Sequence, residues 1–228
     1  MTWFGNFYRS AIGKKAVMAI SGLILFGWIF LHMAGNLKLF MGSEALNHYG
    51  EWLRTMGGPM LPNTGALWLS RIVLLVAVIF HIHSAYALTM MNRNARPVGY
   101  ADRDYVKGTY AARTMRWGGV IILLFVFYHL AHLTWGGNVA SPSRFVQGDV
   151  YHNVVTGFQV WWVSAIYILA NLALGLHLYH GLWAMFSSVG MTNPRFEHWR
   201  RAFATVFAIV VTAANISFPL SVLTGFVK

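Results

Sequence analysis

Five stretches of this chain are long and apolar enough to cross a bilayer, and four of them carry histidine within an uncharged run. The four read GWIFLHMAGN with His32, VAVIFHIHSAY with His81 and His83, LFVFYHLAHLTW with His129 and His132, and ALGLHLYHGLW with His177 and His180. Crossing the hydrocarbon takes about 20 apolar residues, and an ionisable side chain at that depth is costly unless it has a partner and a task. The pattern therefore predicts an all-α membrane protein, one membrane domain over residues 1–228, with imidazoles turned into a helical bundle.

Composition supports this. Of 228 residues, 57% are hydrophobic and 10% charged, where a soluble domain carries about 25% charged residues. The net charge of +11 lies between the apolar runs rather than in a patch for nucleic acid, so no nucleic-acid partner is expected. There is no cysteine, which excludes thiolate-held iron–sulfur clusters and covalent c-type haem within this chain. The expected spans are roughly 16–37, 67–91, 117–137, 159–186 and 203–227. The N-terminal segment lacks the small-residue cleavage site of a signal peptide, so Ala16 to Asn36 reads as a retained helix.

Lys and Arg set the orientation. The N-terminal tail and the second and fourth connections hold 12 of the 17 basic residues, so the N-terminus is expected to be cytoplasmic. Trp68, Trp135, Trp161 and Trp162 then mark the outer interface, and Trp117, Trp183 and Trp199 the inner one.

With orientation assigned, a rise of about 1.5 Å per residue converts position to depth. His32 lies near the outer end of its span and His129 in the outer half of the third span. His83 and His177 lie about 12–15 Å from the inner ends of theirs. Depth pairs His32 with His129 and His83 with His177. Neutral imidazole is a good ligand for iron, so two bis-histidine haems stacked across the membrane are expected. The second histidine on three of the helices leaves the choice open. His81 and His83 are about 200° apart around a helix, whereas His129 and His132, like His177 and His180, are about 60° apart. Any surplus histidine would serve hydrogen bonding to carbonyls, propionates or neighbouring helices. Glycines such as Gly22, Gly119 and Gly175 would let a flat porphyrin, or a neighbouring helix, approach the backbone. The fifth span has no histidine and reads as a scaffold helix.

The chain resembles the diheme cytochrome b membrane anchors of succinate dehydrogenase and fumarate reductase, the single-chain five-helix type of complex II. The resemblance runs through RSAIGKKAVMAISGLILFGWIFLHMAGNL, ALNHY, FHIHSAYALTMMNRNARPVGY, ARTMRW, FVFYHLAHLTW and GLHLYHGLWAMFSSVGMTNPR. It implies outer haem ligands at His32 and His129, and inner ligands at His83, in a His-x-x-Tyr pattern with Tyr86, and His177. Some family members carry a glutamate two residues before that last ligand, for compensating proton movement; here the position is Gly175.

The resemblance further implies two b haems, a quinone (menaquinone is usual for diheme members), and iron–sulfur and flavoprotein subunits as partners. The iron–sulfur clusters and FAD would sit on those subunits, and the whole would reside in a bacterial cytoplasmic membrane, with a higher oligomer of the complex open. For the quinone, donors are expected at Ser10, Lys14 and Tyr86 near the inner haem, with Asn47, His48 and Glu51 as an outer alternative. Arg93, Arg96 and Arg113 are candidates for docking the iron–sulfur subunit. Three other readings compete: the diheme anchor of another respiratory enzyme, such as a nitrate reductase or hydrogenase, a haem-free proton-relay transporter, and a purely structural anchor that needs no redox centre. The transporter would need intramembrane carboxylates, and the apolar spans hold none.

Overall fold

Apolar residues surround every long segment on all sides, and in a bilayer such segments satisfy their backbone only as helices. The computed structural model describes residues 3–95, 110–136 and 144–228. Its eight helices are α1 (Trp3–Arg9), α2 (Ala11–Asn36), α3 (Ser43–Thr55), α4 (Gly65–Asn94), α5 (Tyr110–Leu130), α6 (Val150–Gln159), α7 (Trp161–Ser188) and α8 (Glu197–Leu223). Five of them, α2, α4, α5, α7 and α8, are long and apolar enough to span. The chain is thus a multi-pass membrane protein. Exposed tryptophans gather at the two ends of the bundle: Trp117 and Trp199 on the face of the N-terminus, here the near face, and Trp68, Trp135 and Trp161 on the far face.

Local chemistry sets the helix ends. Ser10 caps α2, its Oγ accepting from the Gly13 amide at 2.9 Å, so the helix begins several residues before the expected apolar run. The last turn of the third span opens into a π-helical turn, Ala131–Trp135, which carries His132. Such turns are rare and cluster at functional sites. Glu197 starts α8, and Gly225, at φ 74°, follows its end.

The helix α7 is the hub. It packs along α8, α5 and α2, while α4 packs chiefly on α2. The face that α4 turns inward is Ala77, Ser84 and Leu88, a stripe whose small residues let it approach α2 closely. Near the near face, α7 and α8 are tied by the buried Arg200. It pairs with Glu197 and donates to Ser187 Oγ at 3.2 Å and to the Met191 carbonyl. Glu197 also accepts from Trp183 Nε1 at 3.1 Å. This charge is therefore compensated where it is buried.

Three helices outside the spans were not expected: α1 beside the start of α2, and the pair α3 and α6. The latter two lie at the far face and pack on each other. A core of Leu39, Leu46, Phe158, Val163, Phe218 and Val222 joins them to the ends of α7 and α8. Asp149 clamps this cap. Its Oδ1 accepts from the His152 amide at 2.9 Å and from Asn47 Nδ2 at 3.0 Å, and the Tyr151 amide donates to Asn47 Oδ1 at 2.9 Å.

These donors favour the ionised carboxyl and hold Asp149 below its ordinary range. A depressed folded-state value means the clamp contributes fully above the usual carboxylate range, and its contribution fades as pH falls through that depressed value. Asp149→Ala is expected to cost about 1 kcal/mol, the usual cost of a lost helix cap. Thermal melting in detergent should show a lower midpoint at neutral pH, with the gap to the parent closing in acid.

Candidate functional site

Histidines on the long helices come together in two places, with His32 exposed and His81, His129 and His177 half-buried. On the far side, the rings of His32 on α2 and His129 on α5 lie with centres 5.8 Å apart, nearly perpendicular at 88°. On the near side, His81 on α4 meets His177 on α7, centres 6.3 Å apart and tilted by 57°. Each couple spans two helices, α2 with α5 and α4 with α7, whose backbones make little close contact among the described residues. Gly22, which faces His81, lies ten residues before His32 on α2, so the couples stand about 15 Å apart along the helix axis.

The near couple differs from the expected one. His81, not His83, reaches His177. The stripe that packs α4 on α2 runs Ala77, His81, Ser84, Leu88, and His83 lies about 200° around from His81. His83 is exposed, and its Nδ1 is 2.6 Å from the Tyr8 hydroxyl, with the two rings stacked. Its role here is to fasten α1 against α4. The small residues Ala77 and Ser84 already marked the inward stripe in the sequence, and that signal selects His81.

Hydrogen bonds orient the paired rings. His81 Nδ1 lies 3.2 Å from the Met18 carbonyl and 3.4 Å from Ser21 Oγ. The carbonyl can only accept, so His81 carries its proton on Nδ1 and leaves the lone pair of Nε2 free. His129 Nδ1 lies 3.2 Å from the Tyr167 hydroxyl. Two glycines make room for the near rings. A Cβ on Gly22 would lie 3.3 Å from His81 Cε1, and one on Gly119 would lie 3.6 Å from His177 Cε1. His180 stands apart, edge-on to Trp183.

These couples suit a metal held between two imidazoles. A metal–nitrogen bond of about 2 Å on each side, plus roughly 1 Å from each nitrogen to its ring centre, separates two trans imidazoles by about 6 Å. Both couples match that separation. Among the described residues no group of three or more His, Asp or Glu side chains gathers to hold a metal ion alone. Two imidazoles per centre would leave the remaining positions of such a metal to a group from outside the chain.

The expected quinone donors do not converge. Ser10 is committed to capping α2 and also donates to the Phe7 carbonyl at 2.7 Å. Lys14 Nζ donates to the Tyr8 carbonyl at 2.8 Å and lies over the Tyr8 ring. Tyr86 is 65% exposed. On the far face, Asn47 belongs to the Asp149 clamp, while His48 and Glu51 are exposed. A cavity of about 500 Å³ instead opens at the near face, lined by Ile12, Lys15, Trp183, Ala184, Ser187 and Ser188. Of the docking arginines, Arg93 is exposed at the end of α4, Arg96 lies outside the described residues, and the Arg113 side chain is likewise not described.

Comparison with protein-family models, with curated proteins and with solved structures returns no match.

Position 175 has its own local logic. Gly175 is buried where α7 crosses α8, and any Cβ there would overlap the Thr212 hydroxyl. Threonine on a helix has little χ1 freedom to move aside. Gly175→Glu should therefore separate α7 from α8 rather than supply an interior carboxylate. An overpacking cost of about 1–3 kcal/mol is expected, read as a lowered melting midpoint in detergent. A variant as stable as the parent would contradict the close crossing.

Proposed function

We propose that this chain is the membrane anchor and electron-transfer subunit of a succinate:quinone oxidoreductase. His32 and His129 would hold one b haem and His81 and His177 the other. The carrying observation is two imidazole couples at two depths, with ring centres 5.8 and 6.3 Å apart across helices whose backbones make little close contact. The order and spacing of the motifs, which resemble the complex II anchors, favour succinate chemistry over the other respiratory anchors. Each of four helices contributes one ligand, whereas the nitrate reductase and hydrogenase anchors concentrate theirs on fewer helices.

Bound haem supplies reversible one-electron transfer at iron. The chain supplies the rest. His81 keeps its Nδ1 proton on the Met18 carbonyl and offers Nε2, and His129 is oriented through Tyr167. Such partners fix the ring and raise its basicity as a ligand. At the near face, Lys15 and Ser187 offer hydrogen-bond donors beside a flat Trp183 wall, in a cavity of the size that takes small cofactors. That cavity is our candidate for the quinone head group, with menaquinone the kind that the resemblance implies.

The basic near face suits the cytoplasmic side of a bacterial inner membrane, the anionic lipid there, and an electronegative iron–sulfur subunit. That subunit would pass on electrons that a flavoprotein, through FAD, takes from succinate.

The test uses the complex purified from membranes. His81→Ala should remove about half of the reduced haem absorbance, and His83→Ala should leave all of it. The reverse pattern would return the near ligand to His83. Succinate should reduce the haems of the intact complex. Haems that a chemical reductant reduces but succinate does not would assign the chain to another respiratory enzyme, and absence of haem would overturn the reading.

A further inference from the structure

Tyr167 lies in the far half of α7, is 5% exposed, and sits among three histidine- and phenylalanine-bearing elements. Its hydroxyl is 3.2 Å from His129 Nδ1 and 3.0 Å from His132 Nδ1. The ring is held edge-on by Phe125, with centres 4.9 Å apart, and by Phe158, at 4.8 Å. Its position is therefore fixed by packing and not by the two hydrogen bonds alone. His132 reaches it because the π-helical turn shifts that ring off the ordinary α-helical register.

We infer that Tyr167 is a positioning residue for the outer haem: its hydroxyl fixes the proton on His129 Nδ1 and links that ligand to His132. The inference rests on the proposed function and adds to it residues beyond the axial ligands.

Hydrogen counting drives the assignment. A tyrosine hydroxyl has one hydrogen to give and lone pairs to accept with. If His129 Nε2 binds iron, its Nδ1 carries the proton and must donate to Tyr167. The hydroxyl hydrogen is then free for His132 Nδ1, which accepts it. His132 in turn carries its own proton on Nε2. That nitrogen is buried beside Gly157, where any added Cβ would overlap it, and it has no hydrogen-bond partner among the described residues. The chain His129–Tyr167–His132 is thus neutral throughout and has a single direction. A ligand imidazole that donates from its far nitrogen is more electron-rich, which favours ferric iron. Tyr167 therefore holds the outer haem at a lower potential than an unpartnered imidazole would.

Redox titration of the purified complex, with low-temperature EPR, tests this. Tyr167→Phe keeps the ring and removes only the hydroxyl. The outer haem should shift to a higher midpoint and change its EPR signature, while the inner haem stays unmoved. His132→Leu should move the outer haem in the same direction by less. It should add nothing in the Tyr167→Phe background, because the link is already broken. Two intact haems with both midpoints unchanged in Tyr167→Phe would overturn the inference, as would a shift confined to the inner haem. If Tyr167→Phe fails to assemble, His132→Leu decides: an outer shift supports the link, and no shift overturns it. A parent complex without two haems would fail the proposed function itself, before either variant is read.

Discussion

A neutral imidazole buried among apolar side chains has one nitrogen that must donate and one that must accept, and the interior of this bundle is arranged around that demand. Leaving such a group unpaired costs about 1–3 kcal/mol. His81 meets its share with the Met18 carbonyl on α2, and His129 and His132 share the Tyr167 hydroxyl on α7. Each bond crosses between helices, so each fixes a helix as well as a ring. The paired rings meet in couples, His32 with His129 and His81 with His177. Helix α7 carries both His177 and Tyr167 and so serves the near and far couples at once. Its packing on α8, closed at Gly175 against Thr212, gives that helix a fixed backing. Placement of the couples thus depends on a crossing that contains no histidine.

The two ends of the bundle differ in a way that suits a directional electron path. On the far side, α3 and α6 form a cap on the ends of α7 and α8, held by the Asn47–Asp149 clamp and a core of Leu46, Phe158 and Val222. On the near side the surface is basic, Arg200 locks the α7–α8 turn, and a cavity opens beside Lys15 and Trp183. Under the proposed function, the open end is where a docked subunit and a quinone would exchange electrons with the inner haem.

The five spans could be read directly, because apolar runs of this length in a bilayer have only one backbone solution. Four of the histidine-bearing helices followed, as did the meeting of His32 with His129, since depth along a helix is fixed by residue count. What depth could not give was rotation. His81 and His83 differ by about 3 Å in height yet face nearly opposite ways, and only the α4 contact stripe chooses between them. The helix α3 was hidden because its apolar period, Leu46, Tyr49 and Leu53, is short and set among polar residues. The helix α6 was hidden by Gly148 and Asp149, which read as loop but in fact start and cap it. Tyr167 was invisible for another reason: a tyrosine in an apolar span reads as packing until its partners are known.

Low-temperature EPR of the oxidised, purified complex, integrated against protein concentration, addresses the central claim most directly. Two distinct low-spin ferric signals, each about one spin per chain and each typical of bis-imidazole ligation, are expected. One such signal, a high-spin signal, or no haem signal would contradict the two-couple account.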